Sequence, residues 1–297
     1  AIFRTGGAPG APITLDGHGS TISGSNPCPK DGWTARPDGV LFRSDIVSRI
    51  ILIVDGEKFY EQRVYDCLKP GEIGYDPGDR RLFHLRAKPG SGKVEARRAD
   101  GSVLTVEPGQ WRPAGTRNRS VLLAEAGPKA PVSLLLDGVE TPLVAVKDRL
   151  EPGEWCSETG PDGKAFLYYR PPAGKKVSDL RIECVLRGEG VDMAGKFGHV
   201  TVKNLTAVHF WNDGYNIHGA VKDAVFLNCD AHHCGDEGFS AHDDCETVLD
   251  GAVYRFCDNG IFNVNRAKGV TRNVILADNR SVGFGCHEDT VQTLENV

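Results

Sequence analysis

Reactive side chains are densest at residues 230–244, Asp-Ala-His-His-Cys-Gly-Asp-Glu-Gly-Phe-Ser-Ala-His-Asp-Asp. Three histidines and five acids in fifteen residues exceed what an ordinary turn needs and point to chemistry. Three chemistries fit it. In the first, His242 is a base and Arg266 the cation that neutralises a carboxylate while a proton leaves the adjacent carbon. A uronic acid carries such a proton at C5. The carbanion then expels the neighbouring sugar, as in a lyase, or is reprotonated on the other face, as in an epimerase. No cofactor is required. In the second, Asp236, Glu237 and Asp258 supply the paired carboxyl groups of a glycoside hydrolase. In the third, Asp213, Asp236, Glu237 and Asp258 hold calcium through oxygen, or His232 and His242 take a transition metal. The spacing matches no defined ligand motif, so the metal stays unspecified. The plain alternative is a polar coat on the solvated face of a repeat protein.

These residues recur on a fixed period, which names the elements that position them. Asn204, Asn228, Asp250, Asn273 and Asn296 form one column, and Gly214, Gly238, Gly260 and Gly283 a second. His218, His242, Val264 and His287 form a third. The first steps in every column are 24, 22 and 23 residues, so one unit is stacked on itself. The units are short β-branched segments between polar turns, with Val, Phe, Ile and Cys in the apolar slots and no leucine-rich consensus. The pattern predicts an all-β fold, a right-handed parallel β-helix of 22–24-residue coils. A buried Asn ladder and a turn-forming glycine column are then structural. The His column and the acids before each glycine remain as the candidate active face. His218, Asp213, Asp243 and His287 are expected to bind substrate there. Arg266 follows Val264 by two residues, which on an extended strand gives it the same face.

Ala11-Pro12-Ile13-Thr14-Leu15-Asp16-Gly17 and Ser20-Thr21-Ile22-Ser23-Gly24 read as an opening coil. Between the ends lies another repeat, at an offset of 82. Ile51-Leu52-Ile53-Val54-Asp55-Gly56 leads to Lys69-Pro70-Gly71-Glu72, and Ser133-Leu134-Leu135-Leu136-Asp137-Gly138 leads to Glu151-Pro152-Gly153-Glu154. Each then enters a strand, one beginning at Arg81 and one at Ala165. Asp-Gly and Pro-Gly-Glu mark tight turns. The expected organisation is β-helix coils over 1–49, an inserted β-domain of two related modules over 50–176, and site-bearing coils over 177–297.

The net charge of −5 conceals a division. Residues 80–119 hold ten Lys/Arg against three Asp/Glu, whereas 199–297 hold seven against fourteen. The basic stretch is read as a solvated face, and no nucleic-acid partner is expected. Nine cysteines without a CxxC pair signal neither a disulfide framework nor a zinc knuckle, and the five in the repeat region are expected to stack in the core. No apolar run approaches spanning length, so no membrane span is expected. The chain starts at Ala1 within a strand-rich coil and ends on a ladder position, which suggests a processed chain or a piece of a longer β-helix.

The period and the 230–244 stretch together resemble the pectate-lyase-like superfamily of carbohydrate-active β-helix enzymes. Gly238-Phe239-Ser240-Ala241-His242-Asp243-Asp244, followed by Asp258-Asn259-Gly260-Ile261 and Arg266, is similar to mannuronan C5-epimerases and related alginate lyases. That resemblance implies His242 as base and Arg266 as carboxylate neutraliser, although Ser240-Ala241 stands where the family has Asp-Pro. Residues 150–155 and 167–172 (Leu-Glu-Pro-Gly-Glu-Trp and Leu-Tyr-Tyr-Arg-Pro-Pro) resemble the β-domain insertion of β-helix glycoside hydrolases of the β-xylosidase type. There an Asp and a Glu on neighbouring coils form the catalytic pair, which implies Asp236 or Glu237 with Asp258. The expectation is a secreted or periplasmic bacterial enzyme, monomeric, acting on a polysaccharide. Lyase or C5-epimerase chemistry comes first, hydrolysis second, and a non-catalytic carbohydrate-binding β-helix third.

Overall fold

The computed structural model describes residues 1–75, 82–86, 92–113, 121–125, 133–160 and 163–297. Arg81 and much of the basic stretch fall outside them. The described residues form two compact units. One comprises residues 1–28, 48–58 and 181–297, the other residues 29–47 and 59–180.

The first unit is a parallel β-helix. One sheet stacks Ile2–Phe3, Val191–Gly195, Tyr215–Gly219, Glu237–Ala241, Asn259–Asn263 and Val282–Cys286. A second stacks Ile13–Ser23, Gly198–Val208, Lys222–His232, Glu246–Asp250, Lys268–Arg272 and Val291–Glu295. Every pairing in both is parallel. Successive coils therefore place like residues about 4.8 Å apart. The opening coil is as expected, with Ile13 opposite Val200 and Ser23 opposite Val208. A short antiparallel group, Ser25–Pro27, Ile182–Val185 and Ile51–Val54, adjoins the coils within the same unit.

The long strands bend without losing their core side chains because one residue in each adopts a left-handed conformation. In Lys222–His232, Ala224 and Phe226 are buried on one side of Asn228, and Cys229 and Ala231 on the other. Alternation predicts a step of two; the left-handed Asn228 (φ 51°) makes it three, and the strand turns a corner with both halves facing in. Asn204, Asn273 and Asn296 repeat this at φ 52°, 51° and 56°. Asn tolerates that region better than branched residues do.

The Asn column needs two corrections. It runs along an exposed or half-buried corner rather than in the core. In the fourth coil the left-handed residue is Gly251 (φ 72°), not Asp250. A Cβ on Gly251 would meet Asn228 Oδ1 at 2.6 Å, so the side-chain ladder has two runs. Asn228 donates to Asn204 (3.2 Å) and Asn204 to Asp16 (3.1 Å). Asn296 donates to Asn273 (3.0 Å) and Asn273 to Asp250 (2.8 Å).

The glycine column keeps its register and gains Gly190. Its reason differs from the expected turn, because these glycines lie at strand starts with ordinary φ. A Cβ on Gly238 would sit 2.7 Å from the Gly260 carbonyl oxygen and 2.8 Å from Tyr254 Cβ, so only hydrogen fits between coils. The core is otherwise Val, Ile, Leu, Met, Phe, Tyr, Ala and Cys. Cys229, Cys234, Cys245 and Cys257 are buried there as expected, while Cys286 is exposed.

The second unit is mainly antiparallel. One sheet joins Trp155–Thr159, Ala165–Tyr169, Leu41–Arg43 and Thr34–Ala35, and another centres on Leu82–Arg86 and Val121–Glu125. The repeated turns have matching geometry. Asp55-Gly56 and Asp137-Gly138 both take two positive φ values (52°, 91° and 49°, 81°), as a two-residue hairpin turn requires. Gly71 and Gly153 follow Pro at φ 83° and 92°. Glu72 and Glu154 each accept from the backbone N–H three residues earlier, at 2.8 and 2.7 Å. Ile51–Val54 belongs to the first unit and Ser133–Leu136 to the second.

Candidate functional site

Two adjacent columns at the start of the first sheet hold the acids. Strand register puts Glu189, Asp213, Glu237 and Asn259 in one, and Asn212, Asp236 and Asp258 in the other. Backbone bonds tie the second column, Asp236 N–H to Asn212 O at 3.1 Å and Asp258 N–H to Asp236 O at 2.8 Å. Asp213 is the anchor, only 2% exposed. It accepts from Ser240 Oγ (2.7 Å), the Glu237 backbone N–H (3.1 Å) and Asn212 Nδ2 (3.4 Å). Glu237 accepts from Asn259 Nδ2 at 2.8 Å. The carboxyl groups also bond one another in sequence, Asp236 to Glu237 and Glu237 to Asp213.

Three hydrogen-bonded carboxyl groups in partial burial cannot all stay ionised. Burial is the main cause of the shift in each. It pushes Asp213 up to about 6, with the Asp236 charge adding to it. Asp236 rises to about 7, helped by Glu237 and Asp258, and Glu237 to about 8, helped by Asp213. At neutral pH the group therefore holds protons and negative charge together. One oxygen from each residue lies within 4.8 Å of the others, so a hard cation such as calcium fits here once the protons leave. Among the described residues this is the only such group of His, Cys, Asp or Glu.

Asp258, one coil on from Asp236, is flanked by cations. Arg280 Nη1 lies 3.8 Å from its Oδ1. Lys58 donates to the Cys234 carbonyl at 2.7 Å and interacts electrostatically with Asp258. Burial holds the Lys58 ammonium below its usual range. Sequence reasoning missed Lys58, which lies 176 residues from Cys234 and belongs to no motif. It also missed Glu189, which one further step of 24 back from Asp213 would have found.

The histidine column lies at the other end of the same strands. His218 and His242 stack with ring centroids 4.1 Å apart and planes 12° off parallel. Burial, with His218 second, lowers His242 to about 4, so its imidazole is neutral at pH 7. Val264 and His287 continue the column as expected, and His287 is largely exposed. Five residue steps along extended chain separate Glu237 from His242, a distance of about 16 Å. The five candidate catalytic residues thus divide into Asp236, Glu237 and Asp258 at one end and His242 and Arg266 at the other.

Arg266 is not on an extended strand. Asn265 takes a left-handed conformation (φ 61°), which breaks the two-residue alternation and leaves Arg266 in a turn. Its Nε and Nη2 bind the two oxygens of Asp244 at 2.7 and 2.9 Å. Asp243 is engaged structurally. It accepts from the Gly219 N–H at 2.8 Å, while Asn265 accepts from the Asp243 N–H at 3.0 Å and donates to Glu288 at 2.8 Å. His218 Nδ1 lies 3.7 Å from the Asp243 carboxylate.

No family model matches this chain, and no curated protein matches it. Two solved structures are similar to it at low identity. One, described as "Glycoside hydrolase", is 14% identical, covers 86% of this chain and has a TM-score of 0.48. The other, described as "The complex structure of XylC with xylose", is 9% identical, covers 98% and has a TM-score of 0.40. The chain spans 58% and 63% of their respective lengths. No helix among the described residues is long and apolar enough to cross a membrane.

Proposed function

We propose that the chain is a glycoside hydrolase, secreted or periplasmic in a bacterium, in which the carboxyl ladder cleaves a polysaccharide. The observation that carries this reading is the bonded trio Asp236–Glu237–Asp213 with Asp258 one coil away. Glycoside hydrolysis needs one carboxyl group that keeps a proton at working pH and a second that is ionised. Burial raises Asp236 to about 7 and Glu237 to about 8, so either can donate a proton to the leaving oxygen near neutrality. Asp258, beside the Arg280 guanidinium, supplies the second carboxyl group. Neighbouring coils bring Asp236 and Asp258 within about 4.8 Å at Cα. That separation suits attack by one carboxylate and retention of anomeric configuration, for which about 5–5.5 Å between carboxyl groups is typical. Asp213 and Ser240 act as positioning residues that hold Glu237. The reading rests on these side chains and not on the fold, which hosts many activities.

Proton abstraction by His242 is the second reading. It is favoured by a neutral imidazole at pH 7 but lacks its cation, since Asp244 binds Arg266 through both oxygens. Incubation with a panel of neutral and uronic-acid glycans tests both. The hydrolase reading expects new reducing ends, no ultraviolet-absorbing unsaturation and no solvent deuterium at C5. Unsaturated products that vanish in His242→Ala would replace it with the second reading. Binding without any product would leave a carbohydrate-binding β-helix.

A further inference from the structure

A third cluster takes no part in either chemistry. His209 and His233 occupy the same corner of successive coils, both left-handed at φ 58° and 57°. His232 Nδ1 is 2.8 Å from His233 Nδ1, and the His209 ring centroid is 6.4 and 5.9 Å from those of His232 and His233. Arg255 is the register partner of His232 on the next coil, and its guanidinium lies 5.7 Å over the Phe256 ring. Phe256 in turn lies 4.9 Å from His233. Lys58 reaches the Cys234 carbonyl beside them.

The charges facing the imidazoles are mainly positive. Lys58 and Arg255 act on His233, Arg255 on His232, and Arg181 and Lys58 on His209. The acids are Glu183, 3.5 Å from His209 Nδ1 and bonded by Ser25 Oγ, and Asp230 near His232. Burial is the first cause that keeps all three imidazoles neutral, with His233 lowered to about 4. Three neutral imidazoles suggest a transition metal, but their ligand atoms do not come together as those of the carboxyl trio do. Lys58 and Arg255 would also repel a cation. The same groups attract an anion.

We infer that His209, His232 and His233, with Lys58 and Arg255, form an anion subsite for a carboxylate on the glycan strand that the acid ladder cleaves. The glycan as ligand rests on the hydrolase reading; the preference for negative charge does not. Lys58 links the two sites, since it interacts with both Asp258 and His233. A carboxylate entering this corner gains charge-assisted hydrogen bonds from Lys58 and Arg255. It also favours imidazolium, so binding takes up protons and strengthens as pH falls from 7 toward 5.

The test is calorimetry on the full chain carrying Glu237→Gln, which slows turnover by about 10²–10⁴-fold. The probes are a galacturonate tetrasaccharide and its methyl ester, the same sugar without charge. The acidic tetramer should bind about tenfold tighter, as one charge-assisted contact implies. The gap should widen from pH 7 to 5.5 and close in Arg255→Gln, whose exposed side chain makes unfolding no explanation, and in His232→Gln. Equal affinities, no binding of either probe, or a gap that survives both substitutions overturns the inference. The two proposals fail separately. Reducing ends from a neutral glycan with equal affinities sink the subsite and leave the hydrolase. Charge-dependent binding with no reducing ends from any glycan does the reverse.

Discussion

The strand Glu237–Ala241 carries ionisable groups just inside its start and just beyond its end, and burial acts on them in opposite senses. At the start, Asp213, Asp236 and Glu237 keep protons that free carboxyl groups would lose. At the end, His242 gives up a proton that a free imidazole would hold near pH 6. Desolvation opposes charge in both places. It makes the carboxyl group an acid at neutral pH, as leaving-group protonation requires. It makes the imidazole a weak base, since a conjugate acid near 4 has little hold on a proton. Burial thus fits one end of the strand for catalysis and disarms the other.

The largest expected effect breaks that comparison outright. Glu237→Gln and Asp236→Asn should each lower kcat by about 10²–10⁴-fold, the usual yield of general acid–base catalysis. His242→Ala should leave kcat within a few-fold. Steady-state rates of reducing-end release decide it, and comparable losses at both ends of the strand would refute the division.

Next comes packing beneath the acids. Gly238→Ala should cost about 1–3 kcal/mol as overpacking, because its Cβ would press on the Gly260 carbonyl and Tyr254. At the other end, Asp243→Ala removes the acceptor of one N–H in a half-exposed turn and should cost about 1 kcal/mol. Urea denaturation orders the two.

A subtler effect is the pH dependence of stability. Asp213, Asp236 and Glu237 bind protons more tightly folded than unfolded. Their contribution is full below the unfolded carboxyl range near 4 and is lost as pH rises through about 6 to 8. His233 and His242 bind protons less tightly when folded. Their contribution is full above about 6.5 and is lost as pH falls toward about 4. The carboxyl groups therefore draw Tm down as pH rises above about 4, and the two histidines oppose this by drawing it down as pH falls below about 6.5. Asp213→Asn should flatten the alkaline limb and His233→Gln the acid limb. The smallest effect is at the Asp244–Arg266 pair, which is exposed; Arg266→Ala should not move Tm measurably.

Much of this was legible in the sequence, because a parallel β-helix turns period into contact. The glycine and histidine columns keep their register through every coil. Where reading failed, the cause was local backbone. Asp250 matched the Asn column by type and spacing, yet Gly251 takes the left-handed corner because Asn228 Oδ1 occupies the space a side chain would need. Two-residue spacing alone gives Arg266 the face of Val264, and the left-handed Asn265 takes it off that face. Spacing alone suggests turn residues for the glycine column, whereas Gly190, Gly214, Gly238 and Gly260 each leave room for the carbonyl of the next coil. Glu189 was accessible to the same arithmetic one coil earlier. Lys58 was not, because only the return of residues 48–58 to the first unit brings it beside Cys234.

The central claim is that the carboxyl ladder holds protons near neutrality. Side-chain carboxyl ¹³C chemical shifts, followed from pH 3 to pH 9 in the full chain, test it most directly. Asp236 should titrate near 7 and Glu237 near 8, with Asp213 near 6. If all three lost their protons near pH 4, as solvated carboxyl groups do, the ladder would hold no acid at working pH and the assignment would be contradicted.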